Sequence, residues 1–322
     1  MTEPIVETNV AVIDIGTNSV KVVVAACGAN LPSEIKFAQE ITRVGEGLTK
    51  TGEINASALL RTINAIGRFS HVVQQYDCEH IFAFATHAFR VAANGKDAAA
   101  RIAHETSIEV RIVSGEEEAG YAFLSARKRI GQGKPHMYLI DIGGGSVDFV
   151  HGAGDEVITV RTLPLGALHL MERFLPSDPI APEEFGALRA HVRRVVSLLF
   201  EGGDLSGPRA RLSPAQTALV ASGGSVTTIK KMCDQSWVYS SVTTPKIRIG
   251  EMRRLEAQCL ALPLAKRKRL PGLEPDRADI IPAGLAVVIA FMEAADKRVA
   301  MVNPGGVRDG ALIHLSQNNY RW

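Results

Sequence analysis

The stretches IDIGTNSV (residues 13–20) and IDIGGGSV (residues 140–147) share six of their eight residues, although more than 100 residues separate them. In each, an apolar run predicts a β-strand that ends in Asp, a glycine-containing turn follows, and a second apolar run predicts the next strand. One copy alone is typical of an ordinary tight turn, which accepts Asn, Ser or Pro as well. The second copy, with the same alternation on both sides, indicates an internal duplication and predicts two similar halves.

The turn of each copy has the composition of a phosphate-binding loop. Gly16 and the glycines Gly143, Gly144 and Gly145 lack Cβ atoms, so they can adopt positive φ and point backbone N–H groups at an anion. This composition predicts that each turn holds a phosphoryl group.

An Asp ends the strand before each turn. Asp14 and Asp141 can hold a hydrated divalent cation against a bound phosphoryl group, because carboxylate and phosphate oxygens are the ligands that Mg²⁺ prefers. Two such hairpins facing each other predict a cleft between the two halves, with Mg²⁺ as the cofactor.

The composition is that of a soluble globular protein. The chain has 322 residues, of which 46% are hydrophobic and 22% charged, which is enough for two domains with apolar cores. A formal net charge of +2 does not favour nucleic acid as a partner. The start MTEPIVETNV lacks the features of a signal peptide, and the four Cys residues are widely spaced without a CxxC motif. We therefore expect a cytoplasmic protein without a disulfide framework.

The hydrophobic periodicity predicts alternating strands and helices, and hence an α/β fold. The predicted elements include a strand at residues 80–85, helices at about 56–75, 114–130, 250–269 and 276–296, and a strand at 298–302. The apolar segment AGLAVVIAFM (283–292) is about half as long as a membrane span requires, so we expect a core helix and no membrane partner.

Seven blocks are distinctive in combination. In chain order they are AVIDIGTNSVKVVV (11–24), ATHAFR (85–90), SGEEEA (114–119), LIDIGGGSVDFV (139–150), LPLGALHL (163–170), SGG (222–224) and GGVRDGAL (305–312). Together they resemble the exopolyphosphatase/guanosine pentaphosphatase (Ppx/GppA) phosphatases, from about residue 10 to residue 312.

The resemblance implies two actin-like (ribonuclease H-like) α/β domains of the sugar-kinase, heat-shock-chaperone and actin superfold, with an interdomain cleft. We place domain I at residues 1–132 and domain II at residues 133–322, separated by the turn-rich GQGKP segment (131–135). The C-terminal helix is expected to pack back on domain I. The family often forms homodimers, so we expect a homodimer.

The block SGEEEA places three consecutive acids at a predicted helix start. Ser114 and Glu117 form a capping-box pattern, and acids in the first turn complement the helix dipole, which accounts structurally for Glu116 and Glu117. The resemblance maps the family's general base onto Glu118. The small Ala119 and Gly120 behind it are expected to allow close helix packing near the cleft.

Hydrolysis of a phosphoanhydride depends mostly on positioning and charge neutralisation. Arg90 can donate two parallel hydrogen bonds to phosphate oxygens. The amides after Gly223 and Gly224, at a predicted helix N-terminus, form another anion or nucleotide site. We predict that phosphate is bound by Gly16, Thr17, Asn18, Ser19, Arg90, Gly143, Gly144, Gly145, Ser146, Gly223 and Gly224.

The second hairpin departs from the family pattern. It reads GGGSVD where the family usually has GGGSTE, so Val147 replaces a hydroxyl side chain and Asp148 is one methylene shorter than Glu. Asp148 keeps the charge, and we expect it to be a secondary metal ligand beside Asp14 and Asp141.

Together with these residues, the resemblance implies Mg²⁺-dependent release of orthophosphate from inorganic polyphosphate, or conversion of guanosine pentaphosphate to tetraphosphate. No base-recognition feature is visible, which favours polyphosphate. The basic run Lys266–Arg269 is typical of a solvated helix face but is also suited to line a path for a polyanion. Two alternatives stay open: an ATP-dependent kinase or ATPase of the same superfold, and a non-catalytic regulator that binds polyphosphate or an alarmone.

Overall fold

The computed structural model describes residues 7–28, 30–130, 135–201, 216–236 and 244–322. Contacts divide the chain into two compact α/β units. The first contains the chain up to Ser125 together with Val307–Trp322, and the second contains Ala126–Gly306. The segment predicted to separate the domains, residues 131–135, lies outside the described residues except for Pro135.

The described residues form strands and helices in alternation. The strands are β1 (Thr8–Ile15), β2 (Val20–Cys27), β3 (Ser33–Glu40), β4 (His80–Ala85), β5 (Val110–Ile112), β6 (His136–Ile142), β7 (Val147–Ala153), β8 (Glu156–Leu163), β9 (Thr217–Ser222), β10 (Lys246–Arg248) and β11 (Val299–Asn303). The helices are α1 (Leu48–Thr51), α2 (Ala56–Gln74), α3 (His87–Val91), α4 (Gly95–Thr106), α5 (Gly115–Arg129), α6 (Ala167–Phe174), α7 (Pro182–Glu201), α8 (Gly224–Cys233), α9 (Ile249–Leu260), α10 (Leu264–Arg267), α11 (Ile281–Ala294) and α12 (Gly306–Gln317). A 3₁₀ turn at Pro275–Arg277 precedes α11.

The first unit is built on a five-stranded sheet with the order β3-β2-β1-β4-β5. β1 pairs antiparallel with β2, which places Asp14 opposite Lys21, and parallel with β4, which places Ile15 opposite Ala85. β4 pairs parallel with β5, so that Ala85 lies opposite Ile112. The carboxyl ends of β1, β4 and β5 therefore meet at one edge, which is where open α/β sheets bind ligands.

The second unit repeats this arrangement. Its sheet has the order β10-β11-β9-β6-β7-β8, and without β10 the order β8-β7-β6-β9-β11 is that of the first sheet. The pairings also agree, because β6 is antiparallel to β7 and parallel to β9, and β9 is parallel to β11. The internal duplication and the α/β class predicted from the sequence are confirmed.

Each unit has an apolar core of its own. In the first, Asn55 caps the N-terminus of α2, since its Oδ1 accepts a 2.8 Å hydrogen bond from the Ala58 N–H, and the helix buries Ile63 and Ile66. In the second, α11 is buried from Ile281 to Met292, as expected of a core helix. Within the described ranges, no helix is both long and apolar enough to cross a membrane.

Two expectations about helices are wrong. The helix predicted at 250–269 is interrupted: α9 ends at Leu260, and α10 begins after Pro263, which cannot continue a helix because it has no N–H. Close packing at Gly120 is also absent, since nothing lies within 4 Å of where its Cβ would be. The close approach belongs to Gly310, whose Cβ would lie 1.7 Å from the Tyr121 carbonyl oxygen.

One member of the basic run 266–269 is structural. Arg267 is buried, and its guanidinium donates hydrogen bonds to the carbonyls of Cys259 (3.0 Å), Leu262 (2.9 Å) and Ala278 (3.2 Å). It therefore holds the end of α9 to the segment before α11, and it is unsuited to bind a polyanion. The other three residues of the run are exposed.

We expect Arg267→Gln to lower the free energy of unfolding by about 3 kcal/mol, because three carbonyls lose a charged donor. Lys266→Gln removes an exposed charge from the same short helix and should change stability by less than about 0.5 kcal/mol. Urea denaturation compares the two variants. Equal stability would mean that the Arg267 contacts contribute nothing to the fold.

Candidate active site

One backbone hydrogen bond closes the turn between β1 and β2, with the Gly16 N–H donating to the Ser19 carbonyl at 3.0 Å. Thr17, Asn18 and Ser19 are buried. Both polar atoms of the Asn18 amide lack a hydrogen-bond partner among the described residues. Because buried amides are normally satisfied, this position suits a polar ligand.

The turn between β6 and β7 is closed in the same way, and, contrary to expectation, none of the four turn glycines Gly16, Gly143, Gly144 and Gly145 has a positive φ. The Gly143 N–H donates to the Ser146 carbonyl at 3.0 Å. The carbonyls of Gly143 and Gly144 accept hydrogen bonds, each of 3.0 Å, from the first amides of α6, Ala167 and Leu168. The start of α6, part of the LPLGALHL block, therefore fixes the backbone of the second hairpin.

A glycine that follows the third strand of each sheet packs directly against the hairpin. A Cβ at Gly45 would lie 2.3 Å from Cγ2 of Thr17, and a Cβ at Gly166 would lie 2.1 Å from the backbone carbon of Gly145. Gly45 also donates its N–H to the Thr17 carbonyl at 3.0 Å. Sequence reasoning missed both supporting glycines, although their position after the third predicted strand in both copies was a usable signal.

The two strand-end carboxylates have different neighbours. Asp14 is buried and accepts a 3.0 Å hydrogen bond from Nζ of Lys21, which lies opposite it on β2. The corresponding pair in the second sheet is Asp141 and Asp148, so a second carboxylate occupies the place of the ammonium. Asp148 is buried and accepts a 2.6 Å hydrogen bond from Oγ1 of Thr162.

This pair of carboxylates fits Mg²⁺. Like charges directly opposite each other on antiparallel strands are destabilising, and a bound cation would reduce the repulsion between Asp141 and Asp148. In the part of the chain that the structure describes, no group of three or more His, Cys, Asp or Glu residues could hold a metal. Mg²⁺ needs only one or two carboxylates, because water and phosphate oxygens complete its shell. Sharing of the cation with Asp14 stays a prediction.

Arg90 and Glu118 form an ion pair in the first unit, with Nη1 of Arg90 2.6 Å from Oε2 of Glu118. Both side chains are mostly buried, 17% and 13% exposed, and Nη1 also donates to the Val113 carbonyl at 3.1 Å. The N–H of Thr86, just before α3, donates to the Ile15 carbonyl at 3.2 Å. Arg90 lies on α3, which follows β4, and Glu118 lies on α5, which follows β5. Both helices therefore start at the edge of the sheet where the first hairpin turn lies.

The other two acids of the block have different surroundings. The predicted capping box is confirmed, because Oε2 of Glu117 accepts from the Ser114 N–H at 2.8 Å and Oγ of Ser114 accepts from the Glu117 N–H at 3.1 Å. Burial raises the pKa of Glu117, but the hydrogen bonds from Ser114 and the charge of Arg111 outweigh it, so the pKa is lowered overall. Glu116 is exposed. Glu118 is the acid paired with Arg90.

The SGG loop lies behind the second hairpin. Gly223 has a φ of +100°, and a Cβ there would lie 2.3 Å from the Ile142 carbonyl oxygen and 3.0 Å from Oδ1 of Asp141. A Cβ at Gly224 would lie 2.6 Å from the guanidinium of Arg277, which is buried. The positive φ and the backbone contact therefore require glycine at Gly223, whereas a side chain at Gly224 would displace the Arg277 guanidinium. The loop adjoins Asp141, a predicted metal ligand.

The structure arranges the predicted site residues in one group per unit. The first group comprises Asp14, Gly16, Thr17, Asn18, Ser19, Arg90 and Glu118, and the second comprises Asp141, Gly143, Gly144, Gly145, Ser146, Asp148, Gly223 and Gly224. Their roles in binding and catalysis stay predictions.

Known proteins are similar to this chain in sequence and in fold over nearly its whole length. Exopolyphosphatase 1 of Mycobacterium leprae is 27% identical over 313 residues, which cover 94% of this chain and 88% of that protein. The crystal structure of the Aquifex aeolicus Ppx/GppA family member is similar with a TM-score of 0.78 at 26% identity, covering 99% of this chain and all of that one. An exopolyphosphatase from Cytophaga hutchinsonii, 22% identical, has the same fold with a TM-score of 0.86, covering 97% of this chain and 98% of that one.

A family profile matches residues 22–319, nearly the whole chain, and its family is the one that the seven sequence blocks resemble. The predicted family and fold class are thereby confirmed. The chain belongs to the Ppx/GppA phosphatase family.

Proposed function

We propose that this chain hydrolyses the terminal phosphoanhydride bond of inorganic polyphosphate and releases orthophosphate. The observation that carries the proposal is the Arg90–Glu118 pair, an anion-binding guanidinium and a carboxylate 2.6 Å apart near the first hairpin. Family membership and the similarity to a protein named Exopolyphosphatase 1 support the choice of reaction and substrate.

Arg90 binds the terminal phosphoryl group in this proposal. Its Nη1 is engaged by Glu118 and the Val113 carbonyl, and phosphoryl oxygens compete for it through charge-assisted hydrogen bonds. The contact between Arg90 and Glu118 then weakens, and Oε2 becomes able to accept a proton. Glu118 takes that proton as water attacks the terminal phosphorus, and the bridging oxygen leaves with the shortened chain.

The hairpin turns position the phosphoryl oxygens. The Asn18 amide, which lacks partners within the described residues, donates to one oxygen, and backbone N–H groups of both turns donate to others. Mg²⁺ held by Asp141 and Asp148 would neutralise phosphate charge and polarise the phosphorus–oxygen bonds.

The substrate assay compares phosphate release from polyphosphates of several lengths and from guanosine pentaphosphate, each with and without Mg²⁺. We expect a higher kcat/KM for polyphosphate, because an inorganic chain requires no base recognition. A higher kcat/KM for guanosine pentaphosphate would reverse the substrate assignment. Binding without any turnover would favour the non-catalytic regulator.

Glu118→Gln should lower kcat by about 10² to 10⁴ because it removes the general base. KM should not rise, because the neutral amide competes less for Arg90 than the carboxylate does. Initial rates of phosphate release measure both constants.

The matched control is Glu116→Gln, which makes the same change on the same helix turn at an exposed position. It should retain full activity. An active Glu118→Gln variant together with an inactive Glu116→Gln variant would show that the wrong carboxylate was chosen.

Asp141→Asn and Asp148→Asn should each raise the Mg²⁺ concentration for half-maximal activity by at least about tenfold. We expect the same rise for Asp14→Asn if Asp14 shares the cation. Asp155→Asn, an exposed carboxylate of the second unit, is the control and should leave the requirement unchanged. EDTA should abolish turnover while the circular dichroism spectrum stays native, and activity that survives EDTA would exclude the metal assignment.

The exposed residues Lys266, Lys268 and Arg269 test whether a long chain is bound beyond its terminal group. If each contact contributes roughly 0.5 kcal/mol, changing all three to Gln raises KM for long polyphosphate about tenfold. KM for guanosine pentaphosphate should change little, and added salt should mimic the mutation. Arg267 is left intact because it supports the fold.

A matched control removes the same charges from the first unit, with Gln at the exposed residues Lys36, Lys96 and Arg101. This variant should bind long polyphosphate normally. If the two triple variants change KM for long polyphosphate equally, or if neither changes it, the basic run is only a solvated helix face.

A further inference from the structure

A separate pocket of about 590 Å³ lies on the first unit, lined by residues of β5, α5, α12 and the C-terminal segment. Small-molecule sites usually measure about 300–1,000 Å³. Neither Arg90 nor Glu118 lines this pocket, and neither hairpin does. It is therefore distinct from the proposed phosphatase site.

The walls of the pocket are rich in aromatic side chains. The ring of Tyr121 lies 5.3 Å from the ring of His314 and 6.4 Å from the ring of Trp322, measured between centroids. These rings are tilted against each other, and Tyr121 is buried whereas Trp322 is 38% exposed. Aromatic faces of this kind are suited to pack against a planar ring of a ligand.

Two guanidinium groups line the same pocket. Arg111 pairs with Glu117 at 2.5 Å and lies 5.4 Å above the ring of Trp322. Arg321 is exposed, and its side chain has no ion pair or hydrogen bond within the described ranges. Burial and the charge of Arg111 lower the pKa of His314, which keeps its ring neutral near neutral pH. The lining thus carries one positive charge in excess, at Arg321.

The stripe of α5 that faces the pocket contains an unexplained glycine. Glu117, Gly120, Tyr121 and Leu124 follow the i, i+3, i+4, i+7 spacing of one helix face. Glycine destabilises a helix interior relative to alanine, and nothing lies within 4 Å of where a Cβ of Gly120 would be. Packing therefore does not require this glycine. The absence of a side chain at Gly120 leaves the pocket open on this side.

The walls are held in place without a ligand. Gly310 brings α12 into backbone contact with Tyr121, and Oγ of Ser125 donates a buried 2.8 Å hydrogen bond to Asp309. In the C-terminal segment, the ring of Tyr320 stacks on that of His80 at 4.7 Å. The pocket is thus preformed, which lowers the entropic cost of binding.

We propose that this pocket binds a purine nucleoside monophosphate, with the base among the aromatic side chains and the phosphate at the guanidinium of Arg321. The planar base matches the more exposed rings of His314 and Trp322, and the anionic group matches the guanidinium of Arg321. Such a ligand contains no phosphoanhydride bond, so it is not a substrate of the proposed hydrolysis. The pocket is a second ligand site.

Trp322 provides a direct probe, because the chain has only one other tryptophan, Trp237. In a Trp237→Phe protein, fluorescence is titrated with adenosine monophosphate, adenosine and orthophosphate. We expect saturable quenching by adenosine monophosphate, with a Kd at least about tenfold lower than for adenosine or orthophosphate, because both halves contribute. Absence of saturation, or equal affinity for orthophosphate, would overturn the proposal.

Two variants test the pocket in different ways. Gly120→Leu fills it with a good helix former, and Arg321→Gln removes the exposed charge, so each should weaken binding at least about tenfold. Arg101→Gln, at an exposed position that does not line the pocket, should bind normally. Unchanged binding in both pocket variants would overturn the assignment.

The Glu118→Gln protein separates this inference from the proposed function. It should bind adenosine monophosphate with unchanged affinity, because Glu118 does not line the pocket. Weakened binding in that protein would place the nucleotide at the phosphatase site and overturn the second site. Phosphate release from polyphosphate is measured independently, so either proposal can fail alone.

Discussion

The tight turn after each strand-end Asp is the constraint on which the rest of the structure depends. One backbone hydrogen bond of 3.0 Å closes each turn, from Gly16 to Ser19 and from Gly143 to Ser146. The backbone of so short a turn is accessible to neighbouring segments. In each unit, the segment that follows the third strand packs against it, at Gly45 in the first unit and Gly166 in the second. Only glycine fits at that contact, because a Cβ would overlap the turn. The three antiparallel strands at the start of each unit therefore hold the turn between the first two of them in place.

The two hairpins have the same backbone arrangement but different charged side chains, so they are suited to bind ions of opposite charge. At the position opposite the strand-end Asp, the first unit has Lys21 and the second has Asp148. In the first unit, Asp14 is neutralised within the hairpin, which leaves a turn suited to anionic oxygens. In the second unit, Asp141 and Asp148 concentrate negative charge that a cation would relieve. The same hairpin backbone is thus suited to an anion in the first unit and to a cation in the second.

Local patterns could be predicted from the sequence, whereas contacts between distant segments could not. The hairpins and the capping box depend on residues within a few positions, so their spacing alone identifies them. The prediction of one continuous helix at 250–269 was wrong because it followed the hydrophobic periodicity and disregarded Pro263, where the helix is interrupted. The burial of Arg267 depends on carbonyls of separate segments, and no local signal distinguishes it from its exposed neighbours. Likewise, Arg90 and Glu118 were assigned to separate tasks, although tertiary structure pairs them.

That pairing links substrate binding to the chemistry of the proposed site. While Nη1 of Arg90 occupies Oε2 of Glu118 at 2.6 Å, the lone pair directed at the guanidinium cannot also accept a proton from water. In the proposed mechanism, a phosphoryl group that attracts Arg90 would release this lone pair, so that Glu118 could act as the base only once the anion is bound. The Arg90–Glu118 ion pair would therefore restrict proton transfer to the substrate complex.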